Sequence, residues 1–486
     1  MSSSNTKQAA WVAVGSLASF GFALISSMIL SRFLSKADYG TYKQVMYVYE
    51  TLLVVFTLGL PRAYSFFLPR VPIEQATHLI IKISLLFLAL GGLMSILLFT
   101  QAGRIASLLN NEDLEGALKL FAIVPTIMLP TMGLDGILAS FKRARQIAFY
   151  NIATRVLMLL FVALPVMMYN QGYEGAIKGF VIASVVSLII AECIIFIPLK
   201  SNGSEKSDIS YKQILAFSIP LLLASIWGII QSSADQFFIS RYFGTEVFAE
   251  FANGNMELPF VGMIIGACAT VLSPFFSEKS NGNDNPQETM LPTWKNAFEK
   301  SAMLIYPIAL FAIIFGDTLM VFLYGDQYEV SGAYFRIKNV ICFFNVIAIG
   351  PLLINVGKVK VYSSVQLWTA VFIVAFEYVF VNLTSNPFSV PVIQLIGRIG
   401  GTLAYLFIIA KYFGVSFFQL FPYKTVVFIL LIGTIILIPL KMVLDILDLN
   451  SLLSLIIGFT FYSLIFFFVS RYKGVDYFEL VRTLKN

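Results

Sequence analysis

Charge is what this sequence is short of. Only 12% of its 486 residues are Asp, Glu, Lys or Arg, far fewer than a soluble protein of that length needs to cover its surface. Histidine occurs once, as His78, so a buried histidine relay has no material. The three cysteines, Cys193, Cys268 and Cys342, each fall inside an apolar block. They read as small buried hydrophobes and not as a disulfide framework or a thiolate metal site. Long polar segments are missing as well. The stretch Lys200 to Lys212 (KSNGSEKSDISYK) and the longest insert, Ser277 to Lys295, leave no room for a soluble catalytic domain. There is no GxxxxGK[ST] phosphate loop, no Ser-His-Asp set and no metal-ligand spacing, so no cofactor is expected.

What is abundant is apolar residue, 58% of the chain, arranged in blocks of roughly 20, the length that crosses a hydrocarbon core of ~30 Å. The pattern predicts an all-α, polytopic membrane protein of about fourteen transmembrane helices. Spans fall at about 10–30, 44–60, 79–99, 117–138, 152–168, 177–198, 214–239, 251–275, 300–323, 333–356, 362–381, 391–410, 423–440 and 451–470. Apolar blocks recur to the C-terminus, so the first is not a cleaved signal peptide. The net charge of +6 is explained by basic cytoplasmic loops and not by nucleic acid. With the N-terminus inside, Lys and Arg favour the inner segments by roughly two to one, which places both termini in the cytoplasm.

The chain also repeats itself. Residues 30–42 read LSRFLSKADYGTY and residues 239–251 read ISRYFGTEVFAEF. A Ser-Arg-aromatic tripeptide ends spans 1 and 7, and an aromatic residue follows each arginine by ten positions, Tyr42 and Phe251. Fainter echoes pair Leu109-Asn110-Asn111 with Leu323-Tyr324-Gly325, and Lys142 with Lys358. Span n thus resembles span n+6. Six is even, so the halves share one topology and a parallel-repeat transporter is expected. The expected organisation is a six-helix lobe at 1–200, a cytoplasmic linker at 201–212, a second six-helix lobe at 213–412, and two accessory helices with a tail at 413–486.

Several motifs carry a family resemblance: Leu34-Ser35-Lys36-Ala37-Asp38-Tyr39-Gly40-Thr41-Tyr42, then Gly59-Leu60, then Phe217-Ser218-Ile219-Pro220-Leu221 with Asp235, and Phe322-Leu323-Tyr324-Gly325-Asp326-Gln327-Tyr328. In this order the chain resembles the polysaccharide-biosynthesis or oligosaccharide (O-antigen type) flippases of the multidrug/oligosaccharidyl-lipid/polysaccharide exporter superfamily. The resemblance implies two lobes around a cavity, a bacterial inner-membrane location and transport instead of enzymatic catalysis. It implies a substrate of oligosaccharide linked by pyrophosphate to a polyprenol such as undecaprenol. It also implies work beside polymerase and chain-length proteins of the same pathway.

A pyrophosphate headgroup cannot cross hydrocarbon bare, and arginine suits its transfer because a planar fork binds phosphate oxygens while staying charged. The candidates are Arg62 after span 2, Lys82 opening span 3, Arg155 early in span 5, Arg398 inside span 12, and the repeat partners Arg32 and Arg241. Each reads either as part of a cationic track or as a cation that snorkels to the headgroups. Arg398, some seven residues into its span, fits the first better. Trp227 and Gln231 share one face at i, i+4, placed to stack on and hydrogen-bond a sugar or simply to pack. Asp235, Glu257, Asp135 and Glu377 are the carboxylates that would carry coupling to H⁺ or Na⁺, or else pair with arginines. Prolines within spans (Pro125, Pro130, Pro220, Pro259, Pro307 and Pro351) mark sites where a helix can bend.

Two rival functions remain. A multidrug or cation antiporter of the same superfamily would favour an acidic cavity and twelve spans. A membrane-embedded polysaccharide polymerase or glycosyltransferase would need a substantial outer loop, which is absent here. The topology is testable directly: reporter fusions after Asn486 and within Ser277–Lys295 are expected to read cytoplasmic, and a periplasmic signal at either would break the assigned orientation.

Overall fold

In the computed structural model, residues 2–196, 205–280, 285–345, 349–472 and 477 are described. Residues 201–204 of the linker, 281–284 of the longest insert and 478–486 of the tail lie outside the described residues. All regular structure among the described residues is helical. Twelve helical stretches are long and apolar enough to cross a membrane, and counting each of two bent pairs as one crossing gives fourteen, the number the hydropathy blocks predict. The chain divides into two compact units, Met1–Ala249 and Glu250–Asn486.

The first unit opens with α1 (Ser2–Phe33) and α2 (Lys36–Phe56), followed by α3 (Leu60–Phe67), bent 43° from α2. After α4 (Ile73–Leu108) the next crossing is built in pieces, α5 (Asp113–Phe121), α6 (Val124–Met128) and α7 (Leu134–Ser140). Then come α8 (Ala144–Met158), α9 (Leu164–Tyr169) and α10 (Tyr173–Phe196), with α11 (Tyr211–Gly254) running to the end of the unit and five residues beyond its boundary. The second unit holds α12 (Pro259–Ser280), α13 (Pro286–Thr289), α14 (Leu291–Ile314) and α15 (Gly316–Tyr324). Its broken crossing is α16 (Ser331–Asn339), α17 (Cys342–Asn345) and α18 (Ile349–Asn355). The last four helices are α19 (Val359–Leu383), α20 (Ser389–Phe413), α21 (Tyr423–Ile446) and α22 (Ser451–Tyr472).

The internal repeat is visible in the backbone. Ser35 ends the first helix: its side chain accepts from the Asp38 N–H at 3.0 Å and donates to the Asp38 carboxylate at 2.8 Å, so one residue stops α1 and starts α2. At the same register of the second motif stands Gly244, whose φ of 84° breaks α11; glycine takes that conformation without a Cβ penalty. Ser31 and Ser240 are both buried, as are Tyr39 and Phe248, and Tyr42 and Phe251.

A second likeness lies 215 residues apart. Helix α7 (134–140) coincides with α18 (349–355), and α8 begins at 144 where α19 begins at 359. Left-handed residues fall at Asn110 and Gly325, and at Lys142 and Gly357. This differs by one residue from the pairing that sequence suggests, because conformation, not side-chain identity, is what repeats. Both broken crossings end in the same left-handed turn. Lys142 and Arg143 N–H donate to Ala139 and Leu138 carbonyls at 3.0 and 2.8 Å, and Gly357 and Lys358 N–H donate to Ile354 and Leu353 at 3.2 and 2.9 Å. Glycine is unstrained there, whereas lysine costs about 1 kcal/mol.

Within the first unit, a buried polar chain joins three elements. Asn111 Nδ2 donates to Thr41 Oγ1 at 2.9 Å and to Gln44 Oε1 at 2.5 Å, and Gln44 Nε2 donates to Ser240 Oγ at 2.7 Å. Asn111 Oδ1 also accepts from the Asp113 N–H at 3.1 Å, fixing the start of α5. A side chain removed from such a chain leaves its partners buried and unmatched, at about 1–3 kcal/mol. Asn111→Ala is therefore expected to lower the thermal unfolding midpoint in detergent by several degrees. A double-mutant cycle with Gln44→Ala should be strongly non-additive, and additivity would show the chain to be energetically idle.

Candidate functional site

In the second unit, three charged side chains meet where two helices are interrupted. The chain leaves α11 at Gly254, which lies so close to α16 that a Cβ would stand 2.4 Å from the Ser331 carbonyl oxygen. Residues 256–258 are then non-helical before α12 begins. Side chains of α16 reach this stretch: Asn339 Nδ2 donates at 3.0 Å to Met256 O, a carbonyl outside the helices, and Ser331 Oγ donates at 2.8 Å to Glu250 O near the end of α11. Glu257, on the free stretch, faces two cations. Arg398 Nη1 of α20 lies 3.5 Å away and Lys338 Nζ of α16 lies 3.7 Å away. The carboxylate side chain is 63% exposed, while Lys338 is 10% and Arg398 26% exposed. The triad therefore carries one surplus positive charge, held by contacts too long for a tight bidentate pair.

The first unit has a looser counterpart. Lys43 Nζ donates to Ser27 Oγ at 3.2 Å and sits 5.1 Å from the centre of the Tyr39 ring. Lys43 and Arg155 are the cations whose fields reach Glu50 on α2. Unlike Glu257, Glu50 lies well inside a continuous helix, fifteen residues into α2.

Of the sequence candidates, Glu257 and Arg398 are brought together. Arg62 is exposed as the third residue of α3, three positions after the left-handed Gly59. Arg32 and Arg155 are exposed. Arg241 is spent on the fold: its Nη1 donates at 2.7 Å to Leu108 O, a carbonyl left open at the C-terminus of α4. Lys82 holds the described part of the linker, with Nζ donating to Ile209 O at 2.8 Å and Ser207 O at 3.3 Å. His78 Nδ1, one turn earlier, accepts from the Ser207 N–H at 3.2 Å. Trp227 and Gln231 are half-buried on α11. Asp235 and Glu377 are fully buried, on α11 and α19. Asp135 is exposed on α7.

Three participants escaped the sequence reading. Lys338 lies five residues inside the expected span 333–356, where depth alone marks it. Lys43 and Glu50 are seven apart, two helical turns, and so share one face of α2.

Comparison with known proteins agrees with this architecture. A family model described as polysaccharide biosynthesis protein matches residues 6–280. No curated protein matches the chain. Among solved structures, the lipid II flippase MurJ in an inward closed conformation aligns with a TM-score of 0.69 at 16% identity, covering 95% of this chain and 98% of that one. An inward-facing multidrug resistance MATE family transporter of the MOP superfamily aligns with a TM-score of 0.65 at 15% identity, covering 80% and 94%. A MOP superfamily transporter from Pyrococcus furiosus aligns at 0.59 and 15%, covering 84% and 95%. At such identities the likeness is one of fold. The chain is a multi-pass membrane protein with the MOP transporter fold, and it belongs to the polysaccharide biosynthesis protein family.

Proposed function

We propose that the protein is a flippase for polyprenyl-pyrophosphate-linked oligosaccharide, moving it from the cytoplasmic to the outer leaflet of a bacterial inner membrane by alternating access. The observation that carries this reading is the Glu257–Lys338–Arg398 triad. A net positive charge at a helix interruption suits an anionic headgroup and disfavours a cationic drug. In this reading Glu257 stands in for the anion: it neutralises one cation while the site is empty and yields to a phosphate oxygen when substrate enters. Arg62, exposed beside the bend between α2 and α3, would meet the same headgroup on its path.

The expected lobes are 1–200 and 213–412, with 413–486 accessory, and both termini cytoplasmic. The buried carboxylates Asp235 and Glu377 are the groups we assign to coupling with H⁺ or Na⁺. The family match supports a place beside the polymerase and chain-length proteins of the pathway. The shared fold also keeps the multidrug antiporter as the reading to beat, and the two are separated by the sign of the charge that the site prefers.

Arg398→Ala and Arg62→Ala are expected to reduce glycan export strongly while the protein stays in the membrane at parental abundance. Loss of a charge-assisted phosphate contact should weaken binding roughly tenfold to hundredfold. Arg398→Lys should rescue in part, since it keeps the charge without the fork. Normal export by both alanine variants would remove these residues from the substrate path. Glu257→Gln tests the stand-in role: it frees both cations, so purified protein should bind a polyprenyl pyrophosphate about fivefold tighter, about 1 kcal/mol. Unchanged or weaker binding would show that the carboxylate does not compete with substrate.

A further inference from the structure

The turn between α7 and α8 carries Lys142, Arg143 and Arg145 within four residues. Lys142 and Arg145 are exposed and Arg143 half-buried. No acidic residue lies in the first turn of α8, and no side chain caps it. Among the described residues none of the three cations is in an ion pair. The patch is thus a concentration of positive charge without an internal counter-charge.

The chain contains its own control for this turn. At the equivalent position of the second unit the left-handed residue is Gly357, which serves the backbone without strain. In the first unit the same conformation is occupied by a lysine, with φ of 56°. A lysine is worse for the backbone and adds to a like-charged neighbourhood, so the turn's own backbone does not call for it.

The surroundings say what kind of anion fits. Arg145 lies 5.8 Å from the centre of the Trp11 ring of α1. Helices α1 and α8 touch closely at Gly15 and Ala148. Beside that seam the surface is apolar: Phe149 is 61% exposed, Val14 54% and Trp11 39%. A cationic head region thus continues into an apolar strip along two membrane helices. A soluble phosphate would use only the first part, whereas a phospholipid uses both.

We propose that this turn is a docking surface for an anionic phospholipid of the bilayer, its headgroup phosphate on Lys142, Arg143 and Arg145 and an acyl chain along Trp11, Val14 and Phe149. The proposal is independent of the transport reading. Each cation near a membrane surface contributes roughly a fivefold factor in affinity for an anionic lipid.

The test uses the full chain in nanodiscs made either of phosphatidylcholine alone or of phosphatidylcholine with phosphatidylglycerol. Phosphatidylglycerol is expected to raise the thermal midpoint of the parent protein. Lys142→Gly should hold or raise the midpoint in phosphatidylcholine, since it relieves the turn, yet lose much of the gain from phosphatidylglycerol. Arg145→Gln should lose a similar share. An undiminished gain in both variants overturns the proposal. The second arm counts bound phosphatidylglycerol by native mass spectrometry while a short-chain polyprenyl pyrophosphate is added. Retention of lipid supports the bilayer as its source, and displacement that both variants abolish would reassign the patch to the lipid-linked substrate and overturn the proposal.

Discussion

A peptide carbonyl exposed in hydrocarbon has no water to turn to, and each unmatched group costs several kcal/mol. A helix that must be interrupted inside an apolar segment therefore needs a side chain from elsewhere at the interruption. This constraint organises the structure. Asn339 of α16 covers the Met256 carbonyl opened between α11 and α12, and Ser331 adds a bond to Glu250 O near the end of α11. Arg241 covers the end of α4. Tyr306 Oη donates to Phe343 O at the break of the second unit. Pro307 cannot donate to Met303, and Tyr477 Oη donates to that carbonyl at 3.1 Å instead. In each case a polar side chain is fixed in place by the backbone before any ligand is considered.

Charges gather at these interruptions for a physical reason. A continuous apolar helix presents nothing to a buried ion, whereas an interrupted one brings carbonyls, amides and the open space that a long cation needs. Lys338 lies on the same short helix as the two side chains that mend the break, and Glu257 lies on the non-helical stretch that they mend. The polar chain through Asn111, Gln44 and Ser240 joins side chains instead, and ties the start of the broken crossing of the first unit to α2 and α11.

Much of the fold was legible because hydropathy is a strong signal: block length returned twelve helices long and apolar enough to cross, and fourteen crossings when each bent pair is counted as one. The broken crossings were legible only in part: Pro125 and Pro130 lie in the broken crossing of the first unit and Pro259 opens α12 after the non-helical stretch, but proline is an uneven guide. Pro220 and Pro307 lie within helices that continue through them, while the interruption at Gly244 and the bend after Phe56 contain no proline. Proline reports a missing donor, and a donor can be replaced from another helix. A left-handed residue reports a change of direction, and sequence names it only when it is glycine; Lys142 and Asn110 gave no such sign. The site was legible in part for the same reason. Arg398 and Glu257 stood out by depth, but their meeting depends on a break in the chain that hydropathy does not see. Arg241 and Lys82 stood out equally, and the fold uses both to mend backbone.

The geometry of the triad bears on how such a site can work. At separations of 3.5 and 3.7 Å and an effective dielectric near 20, each cation attracts the carboxylate by about 4–5 kcal/mol. Desolvation offsets much of that. A bidentate pair would be harder to open, and two cations without a carboxylate would repel one another in the empty protein. A single exposed carboxylate between two more buried cations lies between these extremes. It offsets part of the repulsion between the cations and leaves one positive charge unmatched. The surplus charge then remains on the two helices, from α16 and α20, that fix Lys338 and Arg398. The carboxylate is the most exposed of the three and lies on the non-helical stretch, so its contacts can be lost without dismantling the helices that carry the two cations.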